Sequence, residues 1–237
     1  VDHDDQRLSG ASHLSEDTTG FGVVELRTAR DLMIRPQAAL DEYMRGGATA
    51  AGQYARPLRY YVALCGLMTL ILLVKGGTTM VGQFPAESLQ PIADQAGKSL
   101  DAFIADADNW FSLALIPVTC LFYAMVAVPL LRWWDPEDLG WRRGFRATFV
   151  YLSAWTIPIL PFTWWANEPT AAGAAVAFLM FALAVVTFLR MGRGRWFRAW
   201  PMGLLKGFAL TALLFLFSVL AFVPLIAIAF AGAIYID

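Results

Sequence analysis

Along this chain, long apolar runs alternate with short polar stretches, and five of the runs have the length that a bilayer demands. About 20 helical residues are needed to cross about 30 Å of hydrocarbon. The runs are 58–80, opening LRYYVALCGLMTLILLV; 110–131, WFSLALIPVTCLFYAMVAVPLL; 147–165, ATFVYLSAWTIPILPFTWW; 171–189, AAGAAVAFLMFALAVVTFL; and 203–235. They predict an all-α polytopic membrane helix bundle with five transmembrane helices, a unit occupying 58–237. Pro158 and Pro161 fall near the far end of the third run, where each removes a backbone donor and kinks or locally unwinds a helix. The fifth run, at about 1.5 Å per residue, overruns the bilayer core by roughly half. It must tilt strongly, break at Pro224, or continue as a cap outside the membrane.

Two stretches precede the first run. Residues 1–20 are acidic and polar without an apolar core, which predicts a disordered tail and no cleavable secretory signal. Residues 21–57 are amphipathic. Leu32, Met33 and Ile34 are flanked by Arg30 and Arg35; beyond Pro36, the residues Ala39, Leu40, Tyr43 and Met44 recur at i, i+3, i+4 spacing, and Gly46 and Gly47 supply a stop. The pattern predicts a short amphipathic helix pair broken at Pro36. Two placements suit it: at the interface, with arginines on phosphates, or as an elbow packed under the bundle. Between the first two runs, the loop 75–109 has Ile92, Leu100, Phe103 and Ile104 at roughly helical spacing, fit to lie on the outer surface or to cover a neighbour.

Composition agrees with the bilayer as solvent. Of 237 residues, 58% are apolar and only 16% charged, with a mean hydropathy of +0.53, too apolar for a soluble domain of this length. The net charge of −1 argues against nucleic-acid binding. The distribution of charge is more informative than its sum. With the N-terminus in the cytoplasm, 16 of the 18 basic residues fall on the cytoplasmic side, leaving Lys75 and Lys98 outside among Glu87, Asp94, Asp101, Asp106, Asp108 and Glu168. The Lys/Arg bias of loops sets orientation, so the expected topology is N-terminus cytoplasmic and C-terminus extracytoplasmic, in a bacterial inner membrane. Most tryptophans, Trp133, Trp134, Trp141, Trp196 and Trp200 among them, fall at predicted span ends and suit the headgroup zone.

Chemistry is sparse. The central portions of all five runs carry no Asp, Glu, Lys, Arg or His, the usual mark of ion or proton coupling. His3 and His13 stand ten residues apart without a cysteine nearby, so no metal site is expected. Cys65 and Cys120 lie in apolar runs and read as small buried hydrophobes rather than a disulfide. No phosphate loop, serine elbow or zinc-protease motif occurs, and no cofactor or enzymatic activity is expected.

The candidate contact residues are basic and amphipathic. Arg190, Arg193, Arg195 and Arg198 in RMGRGRWFRAW, with Arg35, Leu40 and Tyr43 of the lead-in, suit contact with membrane lipids, anionic ones included, or with a partner subunit. The same loop is also what the positive-inside rule alone would produce. In WDPEDLGWRRGFR, local pairing of Asp135, Glu137 and Asp138 with Arg142, Arg143 and Arg146 is expected. Gly203 and Gly207 form a GxxxG, and Gly173 lies in an alanine-rich run; such small residues let helices approach closely in lipid, within the chain or between chains.

The run RTARDLMIRPQAALDEYMRGG followed by YARPLRYYVALCGLMTLILLV resembles the opening of an uncharacterised bacterial family of polytopic membrane proteins, the domain of unknown function 3667 group. The positions that carry the resemblance are Arg30, Asp31, Leu32, Arg35, Pro36, Gly46, Tyr54, Pro57, Leu58 and Arg59, about 45 residues of chain. Members often carry a cysteine-rich zinc ribbon before this motif and histidines after the second span; this chain has neither. The resemblance implies a helical membrane bundle and no particular chemistry. The expected function is that of a non-catalytic accessory or assembly subunit packing against a larger inner-membrane complex, respiratory or photosynthetic. A transporter or lipid-handling permease, its helices broken by Pro117, Pro129, Pro158, Pro161 and Pro224, is the alternative.

Overall fold

A computed structural model describes residues 22–137, 140–166, 168 and 170–236. The acidic tail, His3, His13 and Asp138 lie outside the described residues. Those that are described form helices without a strand: α1 (Val23–Ile34), α2 (Pro36–Gly46), α3 (Pro57–Val74), α4 (Ala86–Gln95), α5 (Leu100–Trp134), α6 (Trp141–Ile159), α7 (Ala171–Gly192), α8 (Trp200–Leu220) and α9 (Phe222–Tyr235). Four are long and apolar enough to cross a membrane: α3, α5, α7 and the continuous α8–α9 run from Trp200 to Tyr235.

The third apolar run behaves differently. Its helix, α6, begins earlier, with Arg142, Arg143 and Arg146 in its first two turns, and stops at Ile159, where Pro158 and Pro161 convert the chain to a 3-10 turn over Leu160–Phe162. From Ala147 to Thr156 every residue is buried. A helix hidden all round needs no amphipathic stripe. Tyr151 meets Phe188 and Trp196 edge-on, and Tyr61 lies against Phe149.

Other boundaries follow from local chemistry. The first run ends at Val74 rather than Met80, because Gly76 and Gly77 turn left-handed (φ 102° and 80°) and return their amides to Leu73 and Leu72. The fifth run breaks at Ala221, three residues before Pro224. Proline lacks the amide that would bond to Leu220, so the helix restarts one turn earlier. The loop 75–109 is largely helical, and α5 starts within it at Leu100. Phe103 and Phe111 are wholly buried against Phe230 and Phe222 of α9, so this segment covers a neighbour.

The chain divides into two compact units. One takes in the chain up to Leu64, Val128–Pro158 and Ala184–Gly207; the other takes in Cys65–Ala127, Ile159–Leu183 and Phe208 onward. In the second, Lys75 pairs with Glu168 at 2.8 Å, and Lys98 pairs with Asp106 while donating to the carbonyl of Ala233. Cys65 and Cys120, expected as separate buried hydrophobes, bring their Sγ atoms to 3.0 Å as free thiols. Gly173 is pressed against the carbonyl of Glu168 in the turn before its own helix.

Candidate functional site

The first unit holds most of the polar chemistry. α1 starts at Gly22, whose amide donates to the Glu25 carboxylate, and α1 ends at Arg35, where Pro36 opens α2 at its first position. α2 closes at Gly47, φ 84°. Its buried residues are Pro36, Ala39, Leu40, Tyr43 and Met44, the face that the spacing marks. Leu40 and Tyr43 are each 1% exposed, which corrects their assignment as lipid or partner contacts: α2 is an elbow packed against its own chain. The Tyr43 hydroxyl donates to Ala55 O at 2.6 Å, and Arg146 donates to Tyr43 O at 2.9 Å.

A carboxylate clamp joins the elbow. Asp31, its side chain 3% exposed, accepts from Arg35 (2.7 Å), Arg30 (2.9 Å) and the Tyr54 hydroxyl (3.0 Å), and Arg35 also donates to that hydroxyl. The Arg35 guanidinium holds the Asp31 carboxyl well below the usual carboxylate range, against the opposing effect of burial, with Arg30 and Tyr54 adding to it. Burial pushes the Tyr54 and Tyr43 hydroxyls above the ordinary phenol range.

A second clamp centres on Arg195. It pairs with Asp135 at 2.8 Å and faces Glu137 at 3.6 Å and Asp41 at 3.9 Å; the Asp135 side chain is fully covered. These groups and Gln37 line a cleft of about 290 Å³ with Arg193. Gln37 donates to Arg193 O at 2.8 Å, and Arg190 donates to Met33 O and Ile34 O at 2.8 and 3.1 Å, capping the last turn of α1. Between α7 and α8 the chain reverses at Gly194, φ 84°, whose amide bonds to Phe197 O.

The predicted contact arginines thus divide. Arg190 and Arg195 are engaged by the chain itself, Arg193 is exposed with its guanidinium over Trp200, and Arg198 is exposed. The expected local pairing of Asp135 and Glu137 with Arg142 and Arg143 is replaced by the Arg195 clamp. Trp196, expected at the headgroup zone, is 1% exposed and stacks on Phe188. Gly203 and Gly207 receive aromatic rings: a Cβ at Gly203 would lie 2.5 Å from Phe197, and one at Gly207 3.0 Å from Phe188. Asp41 and Gln37 are residues of these clamps that the sequence pattern missed, and it marked Asp31 and Asp135 without the partners they have here. Of these pairings, only that of Asp31, four residues before Arg35 on one helix face, carried a readable signal.

Among the described residues, no group of three metal-ligating side chains occurs. Taken together, the apolar helices and polar clamps define a multi-pass helical membrane protein. No family model matches the chain, and neither a curated protein nor a solved structure matches it.

Proposed function

We propose that this is a non-catalytic inner-membrane protein, an accessory or assembly subunit that packs against a larger complex. The observation that carries this reading is the pair of exposed small-residue faces. On α7, Ala171, Ala172, Ala174 and Ala175 are exposed; on α9, so are Ala227 and Ala231, one turn apart. In lipid, association is driven by close packing, and small residues permit it. Five crossings, N-terminus inside and C-terminus outside, go with this reading. The basic residues within 27–59, 132–146 and 190–206 are the ones that the positive-inside rule makes cytoplasmic.

The test is bulk. Ala175→Leu and Ala227→Leu should leave the protein in the membrane but release it from a high-mass band on native gels after gentle extraction. A wild-type protein that runs only as a monomer would sink the reading. The permease alternative draws on the break at Ala221, since interrupted helices form midplane sites in transporters. Solute flux in proteoliposomes that is abolished by Pro224→Ala would favour it.

A further inference from the structure

α1 turns most of its large apolar side chains outward. Its inward face carries Thr28 (0% exposed) and Asp31 (2%), each hydrogen-bonded, with Leu32 (3%), while Val23, Leu26, Met33 and Ile34 are 67%, 66%, 41% and 69% exposed. At about 100° per residue, Val23, Leu26, Arg27, Arg30, Met33 and Ile34 fall within an arc of roughly 120°. That arc contains no acidic residue: Glu25 caps Gly22, and Asp31 faces inward.

Two bonds set the level at which α1 lies. Its middle is tied to the entry of α3, because Thr28 Oγ1 accepts from the amide of Ala55, two residues before that helix. Its end is tied to the exit of α7 by Arg190. α7 has 22 residues, which rise about 33 Å and match the hydrocarbon thickness, so Arg190 stands where acyl chains meet headgroups. A helix bonded at its middle to one span's start and at its end to another span's finish runs along that boundary.

From this geometry we infer that α1 is a membrane-surface anchor, with Val23, Leu26, Met33 and Ile34 seated in the acyl boundary and Arg27 on a lipid phosphate, while Arg30 beside it stays paired with Asp31. A face combining large apolar side chains with guanidinium groups is matched by a phospholipid interface, where each finds its partner at its own depth. The inference needs the chain to span a bilayer and does not depend on a partner subunit.

Nitroxide labels on the full chain in phosphatidylglycerol–phosphatidylcholine vesicles test this, in a Cys65→Ser/Cys120→Ser background. Leu26→Cys and Ile34→Cys are compared with Val62→Cys, on an exposed face of α3, and Glu137→Cys, in an exposed loop. Labels at 26 and 34 should follow Val62: relaxed by oxygen, which partitions into lipid, and several-fold less accessible than Glu137 to a water-soluble nickel chelate. Should Leu26→Cys fail to fold, Val23→Cys reports from the same arc. Nickel accessibility equal to that at Glu137 would place the face in water and overturn the anchor. Protection from both reagents would mean that a second copy covers it, overturning the lipid assignment. An aqueous signal at Val62 would remove the bilayer itself.

Discussion

Replacing Asp31 with alanine removes the hub of the elbow, and its cost can be worked from the clamp. The carboxylate is 3% exposed and serves three donors. Arg30 and Arg35 have side chains 61% and 45% exposed. Water replaces the carboxylate for them, and their shares stay in the modest range of surface pairs. Tyr54 is different: at 1% exposure its hydroxyl loses its acceptor in a buried place, a loss worth about 1–3 kcal/mol. A total near 2 kcal/mol should lower the melting temperature of the detergent-solubilised protein by roughly 4–8 °C. Limited trypsin digestion locates the effect, since cleavage after Arg27, Arg30 and Arg35 should accelerate before the spans are touched. The sign with pH follows from a folded-state pKa depressed below an unfolded value of about 3.9. The contribution is complete above that value and falls away only below it. Wild type should therefore hold the clamp from neutral pH down to about 4. An Asp31→Ala protein that melts and digests like wild type would refute this account of the elbow.

Arg195→Met strands the covered Asp135 carboxylate, and breaking such a pair costs about 3–5 kcal/mol; the abundance of folded protein should drop sharply, with Arg195→Lys intermediate. Leu40→Asp puts a carboxylate at a position 1% exposed and should abolish folded protein on size-exclusion chromatography, whereas His3→Ala and His13→Ala should leave it unchanged. The thiol contact between Cys65 and Cys120 predicts that a membrane-permeant thiol oxidant converts the chain to a faster-migrating form on non-reducing gels. Cys65→Ser should eliminate that form, and its failure to appear in the oxidised wild type would mean that α3 and α5 do not meet there.

Much of the fold was legible because lipid imposes one-dimensional rules. Uninterrupted apolar runs marked α3, α5, α7 and α8–α9 as candidate spans, and the i, i+3, i+4 pattern after Pro36 marked the buried face of α2. The helix ends were less legible. Gly76 and Gly77 stop α3 through left-handed backbone, and Pro224 breaks the last run three residues upstream of itself. Both effects act through hydrogen bonds that hydropathy does not register.

By itself, then, the sequence determined the class of protein, the helical elements and the elbow at Pro36, since these depend on local apolarity and spacing. Tertiary structure alone decided which charges meet. Asp135 stands seven and eight residues from Arg142 and Arg143 yet pairs with Arg195, 60 residues away. It also decided that Leu40 and Tyr43 are covered by the chain while Leu26 and Ile34 of the neighbouring helix are left outward. An amphipathic pattern shows that a helix has two faces; only the bonds made by Thr28, Asp31 and Arg190 settle which face of α1 turns in.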